Sequence, residues 1–402
     1  MSSESYPPEH KPESALSAIL PGGVITARIS NSEMDPASLF EFAARENPKR
    51  SFLFLSKVLG KHLPVCPLRM LEIHKRIAGL IPDLVLPVVF VGMAETATGL
   101  AQGIFEAWSS ENPDASSVFL HTTRYRIEGV ELVEFQESHS HAPSQYLHVP
   151  NIEPARSRFI SARSLILIDD EISTGNTFEN LAKACIGLMP SIQRVHMACI
   201  TDFMGSELRA NLNERFSVPT SVSSLVHGEW SFESCDYSLV EFPAAAQNIV
   251  GNHISIQDNG LGRLGRTTAF TFPAALIDSF HLSYESELPT LVLGTGEFMH
   301  AAFVLALDLQ RRGLRVFVQS TTRSPILEWG SITSKRTFPD NYGEGVSNYL
   351  YGVEPSNYGQ IILCCEFDSE GGLAGLANDL GAQLIVFTSE MSDNSKAISD
   401  VY

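Results

Sequence analysis

The stretch "LILIDDEISTGNT", Leu165 to Thr177, sets four apolar residues against three consecutive carboxylates and then a turn with one glycine and three hydroxyls. Leu165 to Ile168 read as a buried central strand. Such a strand carries Asp169, Asp170 and Glu171 out at its C-terminal end, the edge where open α/β sheets bind ligands. The turn "ISTGNT" precedes a helix expected to begin near Phe178. A helix N-terminus flanked by Ser and Thr hydroxyls is a phosphate cradle. Carboxylates suit hydroxyls or a metal-bound sugar, the turn suits a phosphate monoester, and a sugar phosphate satisfies both. A plain N-cap would need one carboxylate or hydroxyl rather than this cluster.

Outward from this motif, short apolar runs alternate with helix-period stretches. "LVLPVVFVG" leads into "TGLAQGIFEAW", "SSVFLHT" follows, and "TFENLAKACIGL" precedes "RVHMACIT". The pattern predicts an α/β fold with a parallel sheet covered on both faces. The Gly-rich, polar "QDNGLGRLGRTT" (257–268) is the predicted linker, after which the alternation resumes with "TLVLGTGE", "LRVFVQSTTR" and "YGQIILCCE". With 402 residues the chain is long enough for two domains. The expected division is a disordered tail over 1–25, a first α/β domain over 26–256, and a second over 269–402. The tail reading rests on the Ser, Pro and Glu content of the N-terminus.

The halves also suggest an internal repeat. "FVGMAETATG" faces "VLGTGEFMHA", "VFLHTTRYRIEG" faces "VFVQSTTRSPIL", "SQYLH" faces "SNYLY", and "LILIDDEISTGN" faces "IILCCEFDSEGG". The separations are 199 to 203 residues for three pairs, and the last is read at 195. At 195, Asp169-Asp170-Glu171 faces Cys364-Cys365-Glu366. Thiols in place of two carboxylates, with Asp368 and Glu370 in the turn, would repel the ligand that the first copy attracts.

Lys plus Arg number 28 against 46 Asp plus Glu, for a formal charge of -18. Such a charge repels phosphate backbones and anionic membranes, so neither nucleic acid nor a membrane is the expected partner. No apolar run approaches the roughly 20 residues of a membrane span. The six cysteines form no CxxC pair and the N-terminus lacks a secretory pattern, so a cytoplasmic protein with reduced thiols is expected.

The 165–177 motif resembles the signature of type I phosphoribosyltransferases: four apolar residues, an acidic pair and a Thr-Gly-x-Thr loop. The resemblance implies that Asp169 and Asp170, with Glu171 beside them, hold the ribose hydroxyls of phosphoribosyl pyrophosphate. Ser173, Thr174, Gly175, Asn176 and Thr177 would hold its 5-phosphate, and Mg2+ would meet Asp169 and Asp170 through ligand or water. In that family a second loop grips pyrophosphate; Gly92, Met93, Ala94, Glu95 and Thr96 occupy its place, although Glu95 alone also reads as a helix N-terminal carboxylate. Arg124, ending "HTTR", suits a diphosphate, against a surface ion pair. The stretch 131–148 stands where the family has a flap, with Glu137, His139 and His141 as proton-transfer candidates. A His-x-His metal site and an inert polar loop are its rivals. Asp202 and Phe203 are candidates to read and stack a base, against a helix cap. "SKVLGKH" is no Walker loop: Leu55 and His62 stand where Gly and Ser or Thr belong.

More narrowly, "GMAETATG", "SHSHAPSQYL", "LIDDEISTGNT", "GTGEFM" and the "TRSP" of Thr322 to Pro325 resemble orotate-phosphoribosyltransferase-like proteins with a C-terminal TRSP domain. Members are associated with tellurite-resistance and stress clusters. The resemblance implies transfer of a 5-phosphoribosyl group to a small nucleobase-like acceptor, and it leaves room for a homodimer. Two rivals remain open: a phosphoribosyl-pyrophosphate sensor without turnover, and pyrophosphorolytic release of a base. In the second half Gly294, Thr295, Gly296, Glu297, Thr321, Thr322, Arg323 and Ser324 are candidates for a residual site, against turns and caps.

Overall fold

The computed structural model describes residues 14–46, 51–136, 144–235, 255–258, 260–278, 287–368 and 371–387. The chain opens with a hairpin, β1 (Ser14–Leu20) and β2 (Gly23–Ser32), paired from Ser14↔Ile29 to Leu20↔Gly23. Residues 14–25, expected in a tail, are therefore sheet. The reason is alternation: Ile25, Ala27 and Ile29 bury one face of β2, and Leu16 and Ala18 pack on the same core. Residues 1–13 lie outside the described residues.

The first half continues through the hairpin β3 (Phe40–Ala44) and β4 (Phe52–Ser56), α1 (Pro67–Gly79), β5 (Val88–Gly92), α2 (Thr98–Glu111) and β6 (Ser117–His121). Next come β7 (Arg126–Ile127), the hairpin β8 (Leu132–Gln136) and β9 (Ser144–His148), α3 (Ala155–Ile160), β10 (Ser164–Ile168), β11 (Glu171–Ile172) and α4 (Asn176–Leu188). It closes with β12 (Arg194–Asp202), α5 (Gly205–Ala210), α6 (Leu212–Arg215) and β13 (Thr220–Ser234). The sheet order is β1-β2-β13-β12-β10-β5-β6, parallel from β13 to β6. Leu165 and Leu167 join one core with Val89, Val91 and Phe178, while Ile166 and Ile168 join the other with Phe90, Leu100 and Phe105. Burial on both faces explains why this strand is apolar without alternation.

The second half runs through β14 (Ser255–Ile256), α7 (Ala274–Asp278), β15 (Thr290–Gly294), α8 (His300–Arg311), β16 (Val316–Ser320), the hairpin β17 (Lys335–Pro339) and β18 (Ser347–Tyr351), β19 (Gln360–Cys365), α9 (Gly372–Leu380) and β20 (Gln383–Val386). Its sheet, β16-β15-β19-β20, is all parallel and repeats the order β6-β5-β10-β12. Even an isolated bridge recurs, Thr123↔Tyr146 in one half and Thr322↔Tyr349 in the other. The halves share this four-strand core, which β13, β2 and β1 extend in the first half and, among the described residues, nothing extends in the second.

Pairing also corrects the register of the repeat. Ser164 pairs Val88 where Gln360 pairs Thr290, so these strands correspond at a separation of 196, not 195. Asp169 and Asp170 therefore face Cys365 and Glu366. Left-handed Gly175 and Gly371, each capping the following helix, agree at the same spacing.

Among its described residues the predicted linker is packed from Gly260 to Thr268, with Gln257 exposed. Arg266 exchanges two 2.8 Å backbone hydrogen bonds with Phe119, and Arg263 is 1% exposed. At Gly262 (φ +113) an added Cβ would lie 2.9 Å from the Phe119 and His121 side chains, so only glycine lets the backbone run this close to β6. The halves meet through α2 and α8, helices at equivalent places in the two copies. Among the described residues no helix is long and apolar enough to cross a membrane.

Candidate active site

Three loops converge because three adjacent parallel strands end together: Gly92 of β5 pairs both Ile168 of β10 and His121 of β6. The acidic residues, the Gly92–Thr96 loop and Arg124 thus reach one edge of the sheet. Asp169 and Asp170 are half-buried there, and the Asp170 amide donates to Asp169 Oδ1 at 2.9 Å. The amides of Ile200 and Thr201 fix the Asp170 carbonyl from β12. Glu171 departs from its expected place in the loop, because it begins β11 and pairs with Thr201.

The turn behind them is held by a cation that sequence reading passed over. Arg215 donates from Nη1 to the Thr174 carbonyl (2.7 Å), from Nη2 to Asn176 Oδ1 (2.8 Å) and from Nε to Glu179 Oε2 (3.1 Å). Gly175 (φ +73) caps the 13-residue α4, whose first turn contains Asn176 and Thr177. Ser173, Thr174 and Thr177 are half-buried beside it. A helix N-terminus with its dipole and a nearby guanidinium make this turn fit for an anion.

The second loop is more enclosed than expected. At Gly92 an added Cβ would lie 2.4 Å from Ala101 Cβ, so this glycine admits α2 rather than an anion. Met93 belongs to the core, and its amide donates to the Ile168 carbonyl. The Ala94 amide donates to Thr122 Oγ1 and its carbonyl accepts from Gln145 Nε2, each at 2.8 Å. Thr96 is half-buried. Glu95 is buried against Lys61 Nζ at 2.8 Å, and Lys61 also donates to the Gly296 carbonyl at 2.7 Å. Burial pushes the Glu95 carboxyl up, but Lys61 and Arg323 outweigh it and hold the group at about 2. Lys61, set aside with the Walker loop, is thus an ionic partner of the candidate pyrophosphate loop.

Arg124 is half-buried, and its amide donates to Glu297 Oε1 at 2.9 Å. Arg126 instead lies 4.9 Å above the Tyr146 ring. The base-reading assignment fails on packing. Phe203 is 2% exposed, stacked on Phe54 (4.5 Å between centroids) and edge-on to Phe40, so it offers no face to a base. Asp202 is 1% exposed, accepts from the Met204 amide and pairs with Arg209. It closes a turn. Glu137, His139 and His141 fall on 137–143, outside the described residues.

The residual-site candidates of the second half are largely interface and framework. Thr295 Oγ1 donates to the Cys364 carbonyl, Thr321 Oγ1 accepts from the Gly296 amide, and a Cβ added at Gly294 would lie 2.5 Å from the Phe298 carbonyl oxygen. Thr322 pairs with Tyr349, and Ser324 Oγ accepts from Arg45. Arg323 forms ion pairs with Glu344 and, at 3.9 Å, Glu95, and donates to the Tyr125 hydroxyl at 2.5 Å. Glu297 and Glu366 both hold the buried Arg263. Tyr125 of the first half stacks on Tyr342 of the second at 4.1 Å.

Carboxylates at a ligand-binding sheet edge are the hard oxygen donors that Mg2+ prefers. Among the described residues no three His, Cys, Asp or Glu gather into a metal cage. The oxygen donors of Asp169 and Asp170 would suit a magnesium ion that keeps most of its water, with one or two carboxylates beyond.

Residues 39–229 match the family described as "Phosphoribosyl transferase", and residues 268–380 match the "TRSP domain C terminus to PRTase_2". Among solved structures, adenine phosphoribosyltransferase from Trypanosoma brucei, in complex with AMP, pyrophosphate and ribose-5-phosphate, is similar at 14% identity. That match covers 49% of this chain and 82% of that one, with a TM-score of 0.34. The enzyme from Giardia lamblia complexed with 9-deazaadenine gives 14% identity, 46% and 94% coverage, and a TM-score of 0.34. Orotate phosphoribosyltransferase from Francisella tularensis gives 13%, 47% and 81%, and 0.29. No curated protein matches the chain.

Proposed function

Because the chain belongs to the phosphoribosyltransferase family in which a TRSP domain follows the transferase domain, we propose that it moves a 5-phosphoribosyl group from phosphoribosyl pyrophosphate to a nucleobase-like nitrogen. The observation that carries this reading is the half-buried Asp169–Asp170 pair at the end of a central parallel strand, directly before a glycine-capped helix N-terminus. The carboxylates accept from ribose hydroxyls, and the Ser173–Thr177 turn binds the 5-phosphate. The C1–O bond to pyrophosphate breaks, a C1–N bond forms, and the nitrogen's proton passes to a base, for which Glu137, His139 and His141 are the candidates. Arg124 and the far end of the second loop, the backbone of Glu95 and Thr96, receive the diphosphate, since the Met93 and Ala94 amides are already bonded within the protein. Magnesium, when bound, neutralises leaving-group charge. The remaining contribution of the protein is position and electrostatics. A stress-related setting and a cytoplasmic location belong to the same proposal.

The test incubates the protein with Mg2+, phosphoribosyl pyrophosphate and a panel of bases and small amines, following pyrophosphate release beside calorimetric binding. The expected result is release with at least one acceptor, and loss of binding by about a hundredfold in Asp169→Asn/Asp170→Asn. Binding without release for any acceptor would replace the enzyme by a sensor. Unchanged affinity in the double variant would remove the site assignment.

A further inference from the structure

Glu297 belongs to the second half and yet grips the first. Its Oε2 accepts from the Thr123 hydroxyl at 2.7 Å, and its Oε1 from the Arg124 amide at 2.9 Å. Two consecutive residues at the end of β6 are thereby fixed by one carboxylate that is itself 5% exposed. The repeat gives the contact a counterpart. Glu95 corresponds to Glu297, and Arg323 to Arg124; Glu95 reaches Arg323 across the same interface at 3.9 Å. This exchange, in which each glutamate loop meets the other half's arginine loop, is the signature of an approximate two-fold axis. The two contacts are unequal in kind. Glu95 is shared between long, charged side chains, whereas Glu297 captures a backbone amide.

The second half has given up its own strand-end acid to hold Glu297 still. Glu366, at the register of Asp170, binds Arg263 through two hydrogen bonds of 2.6 and 2.8 Å and also accepts from the Tyr342 hydroxyl. Arg263 then donates to Glu297 Oε2 from Nη2 at 2.9 Å and from Nε at 3.2 Å. One guanidinium thus spans the strand-end acid and the loop acid of the second copy. Neither carboxylate is left for an outside ligand.

We infer that Glu297 is a positioning residue for the first half's ligand site: through Thr123 and the Arg124 amide it presets the loop that presents Arg124 to the diphosphate. Arg263 and Glu366 act behind it as a clamp. The claim rests on the proposed function and assigns the second half a role in it, that of a buttress built from a filled copy of the site.

The test measures, on the full chain with Mg2+, the affinities of phosphoribosyl pyrophosphate and of ribose 5-phosphate, which lacks the diphosphate. Glu297→Gln is expected to weaken the first about tenfold and leave the second unchanged, since misplacing a positioning group costs only the contact it sets. Faster amide exchange over 121–126 should accompany it. Glu106→Gln serves as a control: Glu106 is a buried interface carboxylate bound to His300 at 2.9 Å, in another part of the contact. It should lower the melting temperature without a diphosphate-specific loss. Where Glu297→Gln fails to fold, Glu297→Asp keeps the charge for Arg263, shortens the reach and should give the same split. Equal loss for both ligands, an unchanged affinity in a folded variant, or the same split in Glu106→Gln would overturn the inference. If the wild type binds no phosphoribosyl pyrophosphate, the transferase reading falls. The positioning claim is then judged by exchange at Arg124, and unchanged exchange in Glu297→Gln overturns it too.

Discussion

At the end of β10 the Asp170 side chain is half-buried at the sheet edge, while at the same register of β19 Glu366 is 3% exposed and closed over by Arg263 and Tyr342. The strands, their neighbours and the glycine that caps each following helix are alike in the two halves. What differs is occupancy. One acid of the pair is replaced, Asp169 by Cys365, but the other persists as Glu366, and a guanidinium from the connecting segment fills the space before it. Fold and site are thus separable: two copies of one four-strand core, one with its acids at an accessible edge and one with the equivalent acid consumed as structure.

The comparison breaks most severely at Arg263. Arg263→Met removes the positive charge while leaving Glu297 and Glu366 buried at 5% and 3% exposure. An uncompensated buried charge costs about 3–5 kcal/mol. Urea unfolding should report a loss of that size, with part of it recovered at low pH as the stranded carboxyls take up protons. A loss near 0.5 kcal/mol would show that the clamp is not tight, and with it the contrast between the halves would go.

The loop acids offer a second contrast, in pH. Glu95 is held at about 2, below the ordinary carboxylate value, against the opposing push of burial. A group whose pKa is depressed by folding stabilises fully above its unfolded value, about 4.5, and that contribution is lost as pH falls through about 2. Each unit is worth about 1.4 kcal/mol, so the span corresponds to about 3 kcal/mol. Glu95→Gln should therefore flatten the acid limb of stability between about pH 4.5 and 2, read from urea midpoints across that range. Glu297 is also lowered, chiefly by Arg263 acting against burial. Its Gln variant should flatten the same limb, and an unchanged limb in both would separate the interface ion pairs from acid unfolding.

The strand, the acid pair and the glycine turn were legible because each is local. An apolar run ended by carboxylates, and one glycine before a helix, leave marks within a dozen residues. The repeat was legible for the same reason, apart from a slip of one position that only strand pairing resolves. What stayed hidden is set by packing between distant segments. Lys61 meets Glu95 and Gly296, Arg263 meets Glu297 and Glu366, and Arg215 reaches back to Thr174; no spacing rule joins them. Phe203 misled because an aromatic at a strand end suits a ligand or a core equally, and Phe40 and Phe54 decide for the core. Ser14–Leu20 misled because its Ser content masked an alternating strand that is stable only against β2.

The finest contrast lies in the caps. Gly175 and Gly371 are both left-handed, φ +73 and +67, so alanine at either pays the same backbone strain, about 1 kcal/mol. Their surroundings differ. Among the described residues a Cβ at Gly371 meets nothing within 4 Å, whereas at Gly175 it would lie 3.2 Å from Met204 Sδ and 3.4 Å from Arg215 Nη1. Met204 can shift, but Arg215 cannot do so without weakening its hold on the Thr174 carbonyl. Gly371→Ala should therefore cost about 1 kcal/mol in urea unfolding and leave ligand affinity untouched. Gly175→Ala should cost a few tenths more in stability and, through the displaced turn, weaken ribose 5-phosphate binding by about threefold to tenfold. Equal effects of the two on affinity would mean that the turn after β10 is no more a ligand cradle than its counterpart after β19.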